Sequence, residues 1–278
     1  MNSLVRLTLL AVVFSSVSFL ANAEGGIHEK GSIYSFWGWN RSQYSKSDIH
    51  FTGNNYDFTL SDVSASDRQT DVGIDPYFRP DGITLPQTNF KVGYFISDKY
   101  AVSFGVDHMK YVMDQNQTVI INGEINIGDF VNESGDTVNF DGPYSNEPID
   151  LSQEGFLMFE HTDGLNYLNF ELNRFDELTK LGNTLLLSGI TGIGLGVLMP
   201  RTNVTMLDKK RHDDFHFAGW GTSIKAGLEL SYNRFFMRSE VKYGYIDMPD
   251  IRTTSSSLDT AEQHFTFTEL DMLFGYYF

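Results

Sequence analysis

The C-terminal stretch from Thr266 to Phe278 alternates between two kinds of side chain with a period of two, and this constrains the fold more than any other feature. One register reads Thr266, Thr268, Leu270, Met272, Phe274, Tyr276 and Phe278, and the other reads Phe267, Glu269, Asp271, Leu273, Gly275 and Tyr277. The pattern is typical of a β-strand with one face against lipid and the other against a polar lumen. Leu273 and Tyr277 interrupt the polar face, and we assign them to an aromatic belt at the membrane interface. The alternative is an edge strand of a soluble sandwich.

The N-terminus predicts export and favours the membrane interpretation. Arg6 provides a positive n-region, the segment from Leu7 to Leu20 is largely apolar, and Ala21-Asn22-Ala23 forms a small-x-small cleavage site before Glu24. We therefore predict a signal peptide at residues 1–23 and a single β-barrel domain at residues 24–278. The apolar run is too short and too rich in Ser to span a bilayer as a helix.

Composition excludes several classes of function. The formal net charge of −16 argues against nucleic acid as a partner, because nucleic-acid binding needs a basic face. Beside anionic lipopolysaccharide, an acidic exterior suggests bridging divalent cations, although solvated acidic loops are the simpler interpretation. The chain has no Cys, which excludes disulfides, a thiol nucleophile and thiolate metal sites. The aromatic content of 14% suits a barrel with aromatic girdles.

Eight segments of alternating apolar and polar residues predict an all-β fold, a single antiparallel transmembrane β-barrel. They begin near Ser32, Thr88, Val102, Tyr167, Thr184, Thr222, Met237 and Thr266. Long polar loops follow the first, third, fifth and seventh segments, whereas short turns follow the second, fourth and sixth. This order predicts periplasmic turns and long extracellular loops.

The long loops leave a ten-stranded barrel open, because the first two each contain a β-like pair. One pair surrounds the turn Gly53-Asn54-Asn55, and the other runs from Thr118 to Ile127 around a turn at Asn122-Gly123. We favour the interpretation that both pairs extend the barrel above the membrane. At the short-turn end, aromatic residues predict a periplasmic girdle of Tyr94, Phe95, Tyr100, Phe175, Tyr232, Phe235, Phe236, Tyr276 and Phe278.

Placing the apolar register outward directs charges of both signs into the lumen. The predicted inward charges are Lys91, Asp107, Glu171, Lys225, Glu229, Arg238, Glu240, Lys242, Glu269 and Asp271. The interior of an eight-stranded barrel is about wide enough for side chains alone, so these charges must pair or stay hydrated. We expect a plugged lumen rather than an ion pathway. The same narrow interior argues against a general diffusion porin.

Most of the histidines lie at the predicted outer strand ends, and many have acidic neighbours. Imidazole and carboxylate groups together bind divalent metals, and two His with one carboxylate suit non-haem iron. His50, His212 and His216 are therefore candidate metal ligands, and a divalent metal ion is the candidate cofactor. Their spacing matches no specific metal motif, and dispersed His of this kind are usually surface residues. No nucleophile-elbow motif supports a Ser-His-Asp hydrolase.

Three short motifs carry a resemblance to known families. They are Tyr56-Asp57-Phe58-Thr59-Leu60-Ser61-Asp62-Val63, Phe90-Lys91-Val92-Gly93-Tyr94-Phe95 and Gly105-Val106-Asp107-His108-Met109-Lys110. They resemble a family of eight-stranded outer-membrane proteins of the OmpA- and OmpW-like transmembrane class. They are also similar to rhizobial lipid A oxidase-like proteins, which have an acidic and aromatic segment ending in Ser-Asp-Val. This second resemblance implies a metal- and O2-dependent oxidation of the proximal glucosamine of lipid A.

These observations lead to two main hypotheses about function. In the first, the barrel is a structural or binding protein of the outer membrane that acts through its long acidic extracellular loops. In the second, it modifies lipid A, and Asp107, His108 and His161 are the candidate catalytic residues, as metal ligands or proton carriers. A narrow channel for small apolar molecules is a third hypothesis. The expected partners are outer-membrane lipids, lipopolysaccharide and, because the last strand resembles the C-terminal assembly signal of outer-membrane barrels, the barrel assembly machinery.

Overall fold

The computed structural model describes residues 27–68, 87–182, 184–212 and 214–278. The predicted signal peptide at residues 1–23 lies outside the described residues, and so does most of the predicted loop between Asp67 and Pro86. In the described part of the chain, no helix is long and apolar enough to cross a membrane.

The described residues form seventeen β-strands. In chain order they are β1 (Ile33–Tyr44), β2 (Ser47–Gly53), β3 (Tyr56–Val63), β4 (Ala65–Ser66), β5 (Thr88–Ser97), β6 (Tyr100–Met113), β7 (Thr118–Ile125), β8 (Phe130–Val131), β9 (Thr137–Val138), β10 (Gly142–Asp150), β11 (Leu157–Leu181), β12 (Leu185–Pro200), β13 (Asn203–Met206), β14 (Lys209–His212), β15 (Gly219–Tyr232), β16 (Phe235–Arg252) and β17 (Thr260–Tyr277).

Eight of these strands close into a barrel. They pair antiparallel in the order β1-β5-β6-β11-β12-β15-β16-β17. The ring closes because β17 also pairs with β1, from Tyr34 opposite Tyr277 to Tyr44 opposite Phe267. Closure leaves no unpaired edge within the membrane, where water is not available to hydrogen-bond the backbone. The predicted eight-stranded antiparallel barrel is therefore confirmed.

A belt of apolar side chains covers the outside of this ring. The exposed side chains include Phe104, Phe170, Leu195, Ile224, Leu228, Val241, Leu270 and Phe274. They occupy the predicted outward register of their strands, while the intervening residues are buried inside the barrel. A closed, even-stranded, antiparallel barrel with an apolar outer belt is the form in which single chains cross the bacterial outer membrane. The outer membrane is therefore where this protein resides.

The predicted periplasmic girdle is only partly formed. Tyr94, Tyr100, Tyr232, Phe235 and Phe278 are exposed on the outside of the barrel, as expected. Tyr276 is half-buried against Phe235 and Phe278, whereas Phe95, Phe175 and Phe236, together with Leu273 and Tyr277, point inward and are buried. Assigning these side chains to an outer belt was wrong. They lie on the inward register of their strands, and the period of two does not change near a strand end.

The long loops form a folded cap above the membrane. The strand β2 pairs with the outer end of β17, and the sheet continues through β3 and β7 to β10. Elsewhere, β4 adds to β6, and the hairpin of β13 and β14 adds to β11. The loop strands therefore extend the barrel, as we favoured, and do not add two strands to the transmembrane ring.

One detail of the cap differs from the prediction. The Asn122-Gly123 pair makes no turn, and β7 runs straight through it between β3 and β10. The backbone at Gly123 has φ of 122°, and a Cβ there would lie 2.1 Å from the carbonyl oxygen of Asp57. The glycine is therefore explained by the close approach of β3 and by its positive φ, not by a hairpin turn.

The cap has an apolar core of its own. The ring of Phe58 stacks on Phe51 at 5.2 Å and contacts Phe156 at 6.0 Å between ring centroids. This cluster continues down to Tyr167 and Phe267 at the outer end of the lumen. The described parts of the long loops thus form a packed structure over the barrel.

Candidate functional site

A layer of buried charges fills the middle of the lumen. Each of the predicted inward charges is buried there, including Arg238, Lys242 and Asp107, which are no more than 1% exposed. The inward face of β12 makes room for them, because it carries Gly192, Gly194 and Gly196. A Cβ at Gly192 would lie 3.0 Å from Cε of Lys225 and 2.5 Å from Oδ1 of Asn173. The glycines therefore leave space for longer side chains of the neighbouring strands, such as Lys225 of β15 and Asn173 of β11.

Asp107 is the centre of one group of ion pairs. Its Oδ2 atom accepts hydrogen bonds from Nζ of Lys242 at 2.6 Å, from Nδ2 of Asn169 at 2.9 Å and from Nζ of Lys91 at 3.1 Å. The ammonium group of Lys91 also donates to Glu171, and that of Lys242 donates to Glu269 at 3.1 Å. Charge-assisted hydrogen bonds of this kind are stronger than neutral ones, and several of them share each charge.

A second group surrounds Arg238 and Lys225. The guanidinium of Arg238 donates twice to Oε2 of Glu229, at 2.7 and 3.0 Å, and lies 4.8–5.3 Å from the centroids of four aromatic rings. The rings belong to Tyr34, Phe36, Phe175 and Phe236. Lys225 bridges Glu171 at 2.8 Å and Glu240 at 3.0 Å. The arginine is therefore held both by an ion pair and by cation–π contacts.

The charges in this layer do not balance. Among the described residues, the cations Lys91, Lys225, Arg238 and Lys242 face the carboxylates of Asp107, Glu171, Glu229, Glu240, Glu269 and Asp271. Asp271 forms no ion pair with any described residue, and its Oδ1 accepts a hydrogen bond from Nδ2 of Asn89 at 2.9 Å. Oδ2 of Asp271 and Oε2 of Glu269 accept no hydrogen bond from the described side chains. The excess of carboxylates is thus localised around Asn89.

Apolar layers enclose the charged layer at both ends. At the periplasmic end, Tyr34, Phe95, Phe175 and Tyr277 pack together, and the His28 ring lies against Phe95 at 5.4 Å. The Tyr277 hydroxyl donates to Glu229 at 2.6 Å, which joins this layer to the ion pairs. At the outer end, the core of the cap covers the lumen. The described side chains therefore plug the lumen in three layers, which agrees with the predicted filled interior.

The structure separates the candidate catalytic residues. Asp107 points into the lumen, whereas His108, the next residue of β6, points out of the barrel, and its Nδ1 lies 2.8 Å from Oδ1 of Asn166. Adjacent residues of a strand face opposite sides of the sheet, so these two cannot share one pocket. The catalytic role of Asp107, His108 and His161 stays a prediction, without a common site to support it.

His161 lies in the apolar core of the cap. It is fully buried, its Nδ1 lies 2.8 Å from the Thr202 hydroxyl, and its ring packs against Phe159 and Tyr111. Burial, with a smaller contribution from the charge of nearby His216, lowers the pKa of His161 to about 3. The side chain is therefore neutral at ordinary pH, and its surroundings are those of a structural core residue.

The candidate metal ligands are also apart in the structure. Nε2 of His50 pairs with Oδ1 of Asp57 at 2.8 Å on the exposed side of the cap. Nε2 of His216 accepts a hydrogen bond at 3.0 Å from the backbone nitrogen of Arg252, and burial lowers the pKa of this imidazole. The side chain of His212 lies outside the described residues. Within the described part, no group of three or more His, Asp or Glu side chains is arranged to hold a metal ion.

Sequence reasoning missed the inner aromatic layer and the extent of the cap. The inner aromatic layer was visible in the sequence pattern, because Phe95, Phe175 and Tyr277 occupy the inward register of their strands. The extent of the cap had a weaker signal, because the only β-like piece recognised in the long segment from about Asp114 to Glu160 is Thr118 to Ile127. In the structure this segment forms β7 to β10 and presents exposed carboxylates, Glu124, Glu133 and Glu147 among them.

No family model matches the chain, and no curated protein matches it. Similar solved structures include the outer-membrane protein OprG of Pseudomonas aeruginosa, with 12% identity, coverage of 90% of this chain and 97% of that chain, and a TM-score of 0.37. Neisserial surface protein A has 9% identity, coverage of 89% and 99%, and a TM-score of 0.35. The attachment invasion locus protein Ail of Yersinia pestis, solved with the heparin analogue sucrose octasulfate, has 10% identity, coverage of 90% and 99%, and a TM-score of 0.31.

These structures agree with the resemblance to eight-stranded outer-membrane barrels, which the strand pairing itself confirms at the level of the fold. With identities of 12% or less and TM-scores below 0.5, they carry no argument about binding or catalysis. The similarity to lipid A oxidase-like proteins stays a prediction. The chain is thus an outer-membrane β-barrel whose lumen is filled and whose outer end is covered by a folded cap.

Proposed function

We propose that this protein is a binding barrel of the outer membrane, in which the barrel is the anchor and the acidic cap is the recognition surface. The observation that carries the proposal is the division of the molecule into a plugged lumen and a packed, exposed cap. Ions need a continuous polar path and small apolar molecules need an open gap, whereas the ion pairs of Asp107 and Arg238 fill the lumen between two apolar layers. Outer-membrane lipids, lipopolysaccharide included, are the partners that the apolar belt supports.

A conductance measurement tests the first half of this proposal. The full-length protein, reconstituted in planar bilayers, should give no conductance above that of the bare bilayer. A matched variant, Arg238→Ala with Tyr277→Ala, removes part of the inner plug and serves as a positive control if it conducts. Reproducible conductance steps from the unaltered protein would overturn the plugged-barrel interpretation.

A lipid A mass spectrum tests the proposal against the enzyme hypothesis. Cells with the protein should give the same lipid A masses as cells without it. A mass change that depends on the protein, and that is lost in His108→Ala or His161→Ala, would overturn the binding function and establish a lipid A-modifying enzyme. The imidazole of His108 is the more informative of the two, because it faces out of the barrel and is not part of the cap core.

A further inference from the structure

A groove of about 750 Å³ opens on the surface of the cap. It lies between the hairpin of β8 and β9, the turn at residues 151–156 and the turn that joins β13 to β14. Its apolar lining consists of Phe130, Val131, Leu157, Met158 and Leu207. Val131 is 65% exposed at the lip, whereas Leu157 and Leu207 form a buried floor. The groove therefore offers an apolar strip that no other described segment covers.

Contacts behind the groove hold its walls in place. The ring of Phe140 connects Phe130 at 6.1 Å with Phe156 at 5.2 Å, so the β8–β9 hairpin is joined to the cap core. The carboxylate of Glu154 accepts hydrogen bonds from the backbone nitrogen of Ser134 at 2.6 Å and from its hydroxyl at 2.7 Å. On the other side, the Leu207 nitrogen donates to the Phe156 carbonyl at 2.9 Å. A ligand would therefore meet a preformed surface, which lowers the entropy loss of binding.

The charged side chains that line the groove are mostly acidic. Glu133 and Asp208 line the groove and are exposed, and the segment from Tyr111 to Asn173 that forms two of its sides contains no Lys or Arg. Lys209 is the one basic residue of the described lining, and its Nζ lies 3.5 Å from the carboxylate of Asp208. Glu154 lines the groove as well, so the described charged lining has three carboxylates and one ammonium group and is acidic overall. An acidic rim next to an apolar strip selects for a ligand that combines positive charge with apolar side chains.

We propose that this groove binds a cationic, amphipathic peptide segment of a partner. Apolar side chains of the segment lie against Val131 and the floor at Leu157, and its Lys or Arg groups pair with Glu133 and Asp208. An acidic segment is repelled by the same rim, because like charges at an interface are unfavourable. This inference rests on the proposed function of the cap and identifies the chemistry of its partner.

Binding of short synthetic peptides to the full-length protein in phosphatidylcholine nanodiscs tests the proposal. The probe is a fluorescein-labelled hexapeptide in which Lys alternates with Leu and Val, and the matched probe has Glu at each Lys position. Empty nanodiscs give the background. Fluorescence anisotropy should show saturable binding of the Lys peptide that weakens as salt is raised, because the contacts are partly electrostatic. The Glu peptide should not bind.

Matched variants locate the site. Glu133→Gln with Asp208→Asn should weaken binding about tenfold or more, which is the loss of about 1.4 kcal/mol of interaction. Val131→Ser should weaken it by removing the apolar contact. Glu124→Gln with Glu147→Gln removes the same number of charges from the same cap but outside the groove, and should leave affinity within a factor of about two.

Equal losses in the two double variants would mean general attraction to an acidic surface and would overturn the groove as the site. Absence of Lys-peptide binding, or equal binding of the Glu peptide, would overturn it as well. None of these three results affects the proposed function, which is tested separately by conductance and by the lipid A spectrum. A protein-dependent change in lipid A would overturn the proposed function whatever the peptides do.

Discussion

Two conservative substitutions in the lumen should differ widely in their effect on stability, although both remove a buried carboxylate. Asp107→Asn takes away the negative charge that Lys91 and Lys242 share, and the carboxylates left to these two cations are Glu171 and Glu269. Asp271→Asn removes a carboxylate that forms no ion pair with the described residues. The pair of variants therefore separates the loss of an ion pair from the loss of a buried carboxylate.

The magnitude follows from the partners that remain. Breaking a buried ion pair costs about 3–5 kcal/mol, and we expect the lower end for Asp107→Asn because Lys91 keeps Glu171 and Lys242 keeps both Glu269 and Glu171. The amide oxygen of Asp271→Asn can still accept from Asn89, so the free energy of unfolding should change by no more than about 1 kcal/mol and can rise. With urea slopes of about 1–3 kcal/mol/M, the midpoint of Asp107→Asn should fall by about 1 M or more.

Urea unfolding in lipid vesicles, followed by Trp fluorescence, measures this difference. The chain has three Trp residues, at positions 37, 39 and 220, all on the outward register of barrel strands, so their emission reports the loss of the lipid-facing surface. Equal destabilisation by the two substitutions would refute the reasoning, because it would mean that the ion pairs of Asp107 are worth no more than the single amide contact of Asp271. An Asp107→Asn variant as stable as the unaltered protein would refute the reasoning as well.

Three further outcomes are expected. The folded-state pKa of His161, about 3, lies below the unfolded value of about 6.5, so the free energy of unfolding should fall by up to about 1.4 kcal/mol per pH unit as the pH is lowered from 6.5 to 3. Urea titrations at several pH values should show a smaller slope for His161→Phe. An unchanged slope would assign the pH dependence to other groups. Gly123→Ala should lower the free energy of unfolding by about 2–4 kcal/mol, because a Cβ there meets the Asp57 carbonyl. Gly128 also has a positive φ but lies beside open space, so Gly128→Ala should lower it by only about 1 kcal/mol. Similar urea midpoints for the two variants would contradict the close approach of β3 to Gly123. An unboiled sample should migrate differently from a boiled one on a detergent gel, and identical migration would argue against a stable closed barrel.

The sequence predicts the transmembrane ring well because each of its strands is constrained on both faces. Lipid selects apolar residues such as Leu270 and Phe274 on one side, and the narrow lumen selects polar ones such as Glu269 on the other. This alternation is visible in a single sequence without any knowledge of neighbours. The lumen charges were therefore assigned correctly together with their strands.

The cap was harder to predict, because its residues meet partners that are distant in sequence. His161 is buried only because β11 continues above the membrane as far as Leu157 and packs there against the cap. The Asn122-Gly123 pair has the local composition of a turn, yet the neighbouring strands β3 and β10 decide its conformation. By contrast, the opposite orientations of Asp107 and His108 follow from strand geometry alone and could have been inferred from their adjacency.

The pairing of β17 with both β1 and β2 has a consequence for the order of folding. The strand that completes the ring in the membrane also supports the first strand of the cap, and its partners come from the opposite end of the described chain. Contacts between such distant segments carry a large loop-closure entropy and form late. We therefore expect the cap to remain unassembled until the ring has closed. A chain arrested before closure would expose the apolar cap residues to the periplasm and become a substrate for periplasmic chaperones and proteases.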